Sequence, residues 1–111
     1  APGRLDHLIE VPLPDAADQQ EILELMRAKT EKQAGRLLFE SIDYRTLLPL
    51  MGGMSGADIS EILGRALEGK VQRAADGAAT GLVTTADLLE AIDGYKRVRS
   101  VVEKIRYGQY L

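Results

Sequence analysis

The chain has 111 residues, 45% hydrophobic and 28% charged, with a formal net charge of −3, the make-up of one globular domain with a modest core. It holds no cysteine and a single histidine, His7, which excludes disulfides, zinc–thiolate sites, thiol catalysis and paired-histidine metal sites. No basic block marks a duplex-binding surface and no apolar run reaches membrane-spanning length, so neither nucleic acid nor membrane is expected as a partner.

In chain order, residues 8–12 read as a short extended segment, because Pro12 and Pro14 stop it from continuing as a helix or an inner strand. Asp15 caps a first helix predicted over 16–28, with Ile22, Leu25, Met26 and Lys29 on one face and Leu23 widening it. Gly35 breaks the next stretch, where Leu37, Leu38 and Phe39 are expected to pack. Asp43 caps a short second helix near 44–51, with Ile42 and Leu47 spaced as a hydrophobic staple, and Gly52-Gly53 ends it.

The third helix has the strongest signature. Ser55 and Asp58 have capping-box spacing, and Ile59, Ile62, Leu63, Ala66, Leu67, Val71 and Ala74 recur at three- and four-residue steps up to an end near 75–77. Small residues from Gly77 to Gly81 form a loop. Thr84 and Asp87 repeat the capping-box spacing and open a fourth helix with Leu88, Leu89, Ile92 and Tyr95 on its apolar face. Residues 97–106 either extend that helix past Gly94 or form a separate turn, and 107–111 read as a tail. The fold class is all-α: a small four-helix bundle preceded by a short extended segment.

Three pieces, Pro-Gly-Arg-Leu-Asp at 2–6, Val-Pro-Leu-Pro-Asp at 11–15 and Gly-Met-Ser-Gly-Ala-Asp-Ile at 53–59, resemble in this order the C-terminal part of an AAA ATPase module of the protein-remodelling and proteasomal kind. The resemblance implies that 1–14 end a large subdomain, that 15–96 form its helical lid, and that 97–111 are a C-terminal extension and tail. It also implies that the chain, starting at Ala1 inside a longer motif, is a piece of a larger protein.

The resemblance assigns Arg4 the role of an arginine finger, acting in trans on the nucleotide of the next subunit; a second finger would stand where this chain has Ala1. It places Gly56 and Ala57 against adenosine, with Ala57 where wider relatives carry a sensing arginine. Ile22 and Met26, one turn apart, would pack on the adenine, for which an aliphatic group and a thioether are suited. The tail Gly108-Gln109-Tyr110-Leu111 is similar to that of bacterial proteasome-associated ATPases, which makes Gln109, Tyr110 and Leu111 candidates for docking into a proteasome core particle. The implied ligand is ATP or ADP, with magnesium held outside this segment. The implied partners are neighbouring subunits of a homo-oligomeric ring, a hexamer, and protein substrates in the cytoplasm.

Each assignment has a plainer counterpart. Ile22 and Met26 at helical spacing also suit a core, Gly56 a simple helix start, Arg4 a surface charge and the tail a frayed terminus. The chain carries no glycine-rich phosphate loop and no acidic pair for magnesium, so by itself it is not expected to hydrolyse ATP. Two other functions compete. One is a freestanding helical protein–protein interaction module without a nucleotide role. The other is nucleic-acid binding through Lys96-Arg97-Val98-Arg99, Lys104 and Arg106.

Overall fold

Asp15 starts the first helix by accepting a hydrogen bond from the Asp18 N–H at 2.8 Å. The computed structural model describes residues 12–78 and 81–106, and α1 covers Ala16–Ala34 within it. The helix runs a turn and a half past the predicted stop at 28 because Ala28 to Ala34 includes no breaker and is rich in helix formers. It stops at Gly35, whose φ of 72° lets its N–H turn back to the Glu31 carbonyl at 2.9 Å.

The second helix is shorter than predicted. α2 is Tyr44–Leu47, and Leu48–Leu50 continue it as a 3₁₀ turn. Pro49 has no N–H to give to an α-helical bond, which accounts for the tightening. Gly53, at φ 78°, then reverses the chain into α3, Gly56–Ala75. α4 is one unbroken helix, Thr85–Arg106, so the residues after Gly94 extend it rather than form a separate turn. Thr84 and Asp87 cap it reciprocally, at 2.9 and 3.1 Å.

The architecture is an all-helical bundle of four helices: α4 packs chiefly on α3, and α3 packs on α1. Leu23 from α1, Leu47 from α2, Met51 and Met54 from the connection, Ile59, Ile62, Leu63 and Ala66 from α3, and Leu88 and Ile92 from α4 form the core. Each large aliphatic among them contributes roughly 1.5–3 kcal/mol by burial. Phe39 and Val83 join it through an isolated parallel bridge, with Val83 N–H donating to the Leu38 carbonyl at 2.8 Å and Glu40 N–H to the Val83 carbonyl at 2.9 Å.

Four apolar residues depart from the sequence expectation. Leu25 is 64% exposed, and the buried line of α1 runs instead through Gln19, Leu23 and Glu31. Leu37 is exposed while its neighbour Phe39 is buried. Val71 and Ala74 are exposed because the buried stripe of α3 ends at Ala66. The predicted extended segment at 8–12 lies, apart from Pro12, outside the described residues.

Candidate functional site

Asp18, Glu21, Ile22 and Leu25 fall at three- and four-residue steps on α1 and therefore share one stripe. That stripe, the Pro12–Leu13–Pro14 segment and Gly56 at the start of α3 enclose an open cleft of about 490 Å³. Its apolar walls are uncovered: Leu13 is 61% and Leu25 64% exposed. Gly56 contributes backbone alone, and a Cβ placed there would meet no atom within 4 Å. The first-turn N–H groups of α3 also lack intrahelical acceptors, and the positive end of the helix dipole lies there.

The chemistry of this cleft suits a flat, uncharged group with amine or hydroxyl donors. Aliphatic side chains offer a dry face, and the Asp18 and Glu21 carboxylates accept hydrogen bonds. No cation is among the described lining residues.

Three polar devices tie the bundle together, the first two at the cleft walls. The Gln19 side chain is 2% exposed, and its Nε2 donates to the carbonyls of Met51 at 2.7 Å and Met54 at 3.1 Å. This fastens α1 to the turn that delivers α3. At the α3 start, Ser55 and Asp58 form the full reciprocal capping box. Asp58 also accepts from the Tyr95 hydroxyl on α4. Burial works against ionisation of Asp58, but bonds from Tyr95 and Ser55 outweigh it and its carboxyl lies below the ordinary aspartate range. Finally, Glu31 accepts from the Leu38 N–H at 2.8 Å and the Phe39 N–H at 3.1 Å, and pairs with Arg27. Those backbone bonds, Leu38 first, hold its carboxyl below the usual range.

A second, smaller cavity of about 230 Å³ is lined by Glu24, Arg27, Tyr44 and neighbouring residues. Three of its polar side chains are matched to one another: Arg27 donates to Glu24 at 2.9 and 3.1 Å, and the Tyr44 hydroxyl donates to the same carboxylate. This network joins α1 to α2. Among the described residues no group of three His, Cys, Asp or Glu side chains is placed to hold a metal ion, and no helix is long and apolar enough to cross a membrane.

Of the residues singled out in the sequence, Ile22 and Gly56 come together on one cleft, although 34 residues separate them. Ala57 is the next residue of the same turn and is exposed. Met26, one turn beyond Ile22, is half-buried against the core and is not among the cleft-lining residues. Arg4, Gln109, Tyr110 and Leu111 lie outside the described residues. The sequence reading passed over Gln19, Asp18 and Glu21. The signal for Gln19 was its place four residues before Leu23, on the buried line of α1.

The chain is similar to proteasome-activating nucleotidases. With that of Methanothermobacter thermautotrophicus it is 32% identical over 108 residues, which are 97% of this chain and 23% of the relative. With that of Saccharolobus solfataricus it is 33% identical over 105 residues, 95% of this chain and 24% of the relative. With that of Pyrococcus furiosus it is 36% identical over 92 residues, 83% of this chain and 20% of the relative. The chain thus spans less than a quarter of the length of these curated relatives. No family model matches it.

Proposed function

We propose that this chain is the helical lid, with a strip of the preceding subdomain, of a ring-forming AAA ATPase that unfolds proteins and delivers them to a proteasome. The observation that carries the reading is the cleft where Ile22 and Gly56 meet, in a chain similar over 97% of its length to a proteasome-activating nucleotidase. The cleft takes adenosine, with the base against Ile22 and the backbone of Gly56. The phosphates face outward to a phosphate-binding half supplied by the rest of the protein, which also holds magnesium. The open apolar rim at Leu13 and Leu25 agrees with a surface completed by another body.

In this reading the lid works as a rigid unit. The bundle is tied internally by Gln19, Glu31 and Asp58, so a change in what the cleft grips swings the whole lid rather than deforming it. Arg4 acts in trans on the neighbouring subunit's nucleotide, where a guanidinium stabilises charge on the transferring phosphoryl group. Gln109, Tyr110 and Leu111 engage the proteasome core particle.

Gly56→Val tests the cleft in the full-length protein. The added side chain starts in open space, so stability stays within about 1 kcal/mol of the parent. Affinity for ADP falls at least about tenfold, since branched bulk separates the helix start from the ligand. Unchanged ADP affinity removes the cleft from nucleotide binding.

A further inference from the structure

The Asp58 carboxylate is engaged from two directions. Within its own helix, Oδ2 accepts from the Ser55 N–H at 2.8 Å and the Ser55 hydroxyl at 3.0 Å, while Ser55 Oγ accepts from the Asp58 N–H at 3.2 Å. From α4, the Tyr95 hydroxyl donates to Oδ1, and Arg99 Nη1 lies 3.6 Å from Oδ2. Tyr95 is itself steadied by the Arg65 guanidinium, 5.7 Å from the ring centroid.

A capping box is complete with its two local residues. It needs nothing from a residue 37 positions away. What the Tyr95 bond adds is direction: a carboxylate held at both oxygens cannot turn about its own axis, so the first turn of α3 is fixed relative to α4 as well as to itself. Gly56, the one α3 residue lining the cleft, lies inside that turn, between Ser55 and Asp58. The groups on either side of the link therefore differ in position: Gly56 faces the cleft, and Asp58 faces the bundle.

Resting on the nucleotide reading above, we infer that Tyr95 is a positioning residue for the cleft, which through Asp58 fixes how the start of α3 presents Gly56 to adenosine. Tyr95 does not touch the ligand. It removes a rotational freedom that binding would otherwise have to freeze. Arg99 supports the same carboxylate more weakly, from an exposed position.

The test uses the full-length protein, with the fluorescent analogue mant-ADP for affinity and steady-state ATP hydrolysis for KM and kcat. Tyr95→Phe raises the mant-ADP Kd and the KM for ATP together by about fivefold, since binding must then freeze a helix start the bond no longer holds, while kcat stays within about twofold and the unfolding midpoint drops only by what one lost hydrogen bond costs. Arg99→Gln gives a smaller rise, about twofold, and serves if Tyr95→Phe does not fold. Unchanged Kd and KM overturn the inference, as does a fall in kcat that tracks a lower unfolding midpoint, since that marks a merely structural bond. Wild-type protein that binds no mant-ADP contradicts the nucleotide reading itself; wild-type binding with an unaltered Tyr95→Phe affinity contradicts the role of Tyr95 alone.

Discussion

The side-chain amide of Gln19 donates to the carbonyl of Met51 at 2.7 Å, across 32 positions of sequence and at a depth where almost no solvent reaches. The same nitrogen reaches the Met54 carbonyl, so one α1 residue satisfies two acceptors of the turn that aims α3. This bond sets the distance between the two walls of the cleft. Gln19→Ala leaves both carbonyls without that donor and opens a small void, so the fold loses about 2–3 kcal/mol. Urea denaturation checks this; a loss below about 0.5 kcal/mol shows that solvent replaces the amide.

Acid weakens the bundle through Glu31, Asp58 and Asp87. The folded-state pKa of each is lowered: in Glu31 by the Leu38 backbone bond first, and in Asp58 and Asp87 by hydrogen bonds and cations that outweigh burial. A lowered pKa means the unfolded chain binds more protons below about pH 5, so stability rises with pH there. It is fully present above the unfolded carboxylate values, and it is lost as pH falls through the folded ones. Glu31→Gln flattens this slope in denaturation curves taken between about pH 3 and pH 6. A mutant whose slope matches the parent's removes Glu31 from the acid response.

If Arg4 is the trans finger proposed above, Arg4→Ala in the full-length protein leaves ATP binding intact and lowers turnover by about 10³-fold or more, because a finger acts on the transition state rather than on the ground state. Mixed rings locate the defect in the neighbour of the mutant subunit. Equal turnover in the mutant removes Arg4 from the chemistry.

On the proposed docking of the tail, deleting Tyr110 and Leu111 uncouples ATP hydrolysis from the proteasome core. ATP hydrolysis is spared, and stimulation of the proteasome core's peptidase activity disappears. Stimulation that survives the deletion discards docking through the tail.

Local chemistry was legible in the sequence and distant pairing was not. Asp15, Ser55 with Asp58 and Thr84 with Asp87 announce their helix starts within four residues, and all three caps are formed. Gly35 is legible as a breaker, but of the stretch after the predicted helix; it ends α1 itself, because the run of helix formers before it carries the helix beyond 28. Hydrophobic spacing was less informative. It grouped Leu25 with the core, but the residue lies on a cleft wall, because periodicity identifies an apolar stripe without saying what covers it.

The bonds that fix the cleft were not readable at all. Gln19 with Met51 and Tyr95 with Asp58 join residues 32 and 37 positions apart. A buried glutamine or a tyrosine on an apolar face carries no mark of its partner. Ile22 and Gly56 were singled out through family resemblance, and their meeting on one surface is a product of the tertiary fold.

The central claim, that the start of α3 and the outer face of α1 enclose adenosine, is tested most directly by photolabelling. Full-length protein is irradiated with 8-azido-ADP, digested, and the modified peptides are mapped by mass spectrometry, with excess ADP as competitor. The account predicts competed label on peptides holding Ile22 or Gly56. Competed label confined to other parts of the protein, with both peptides unmodified, contradicts it.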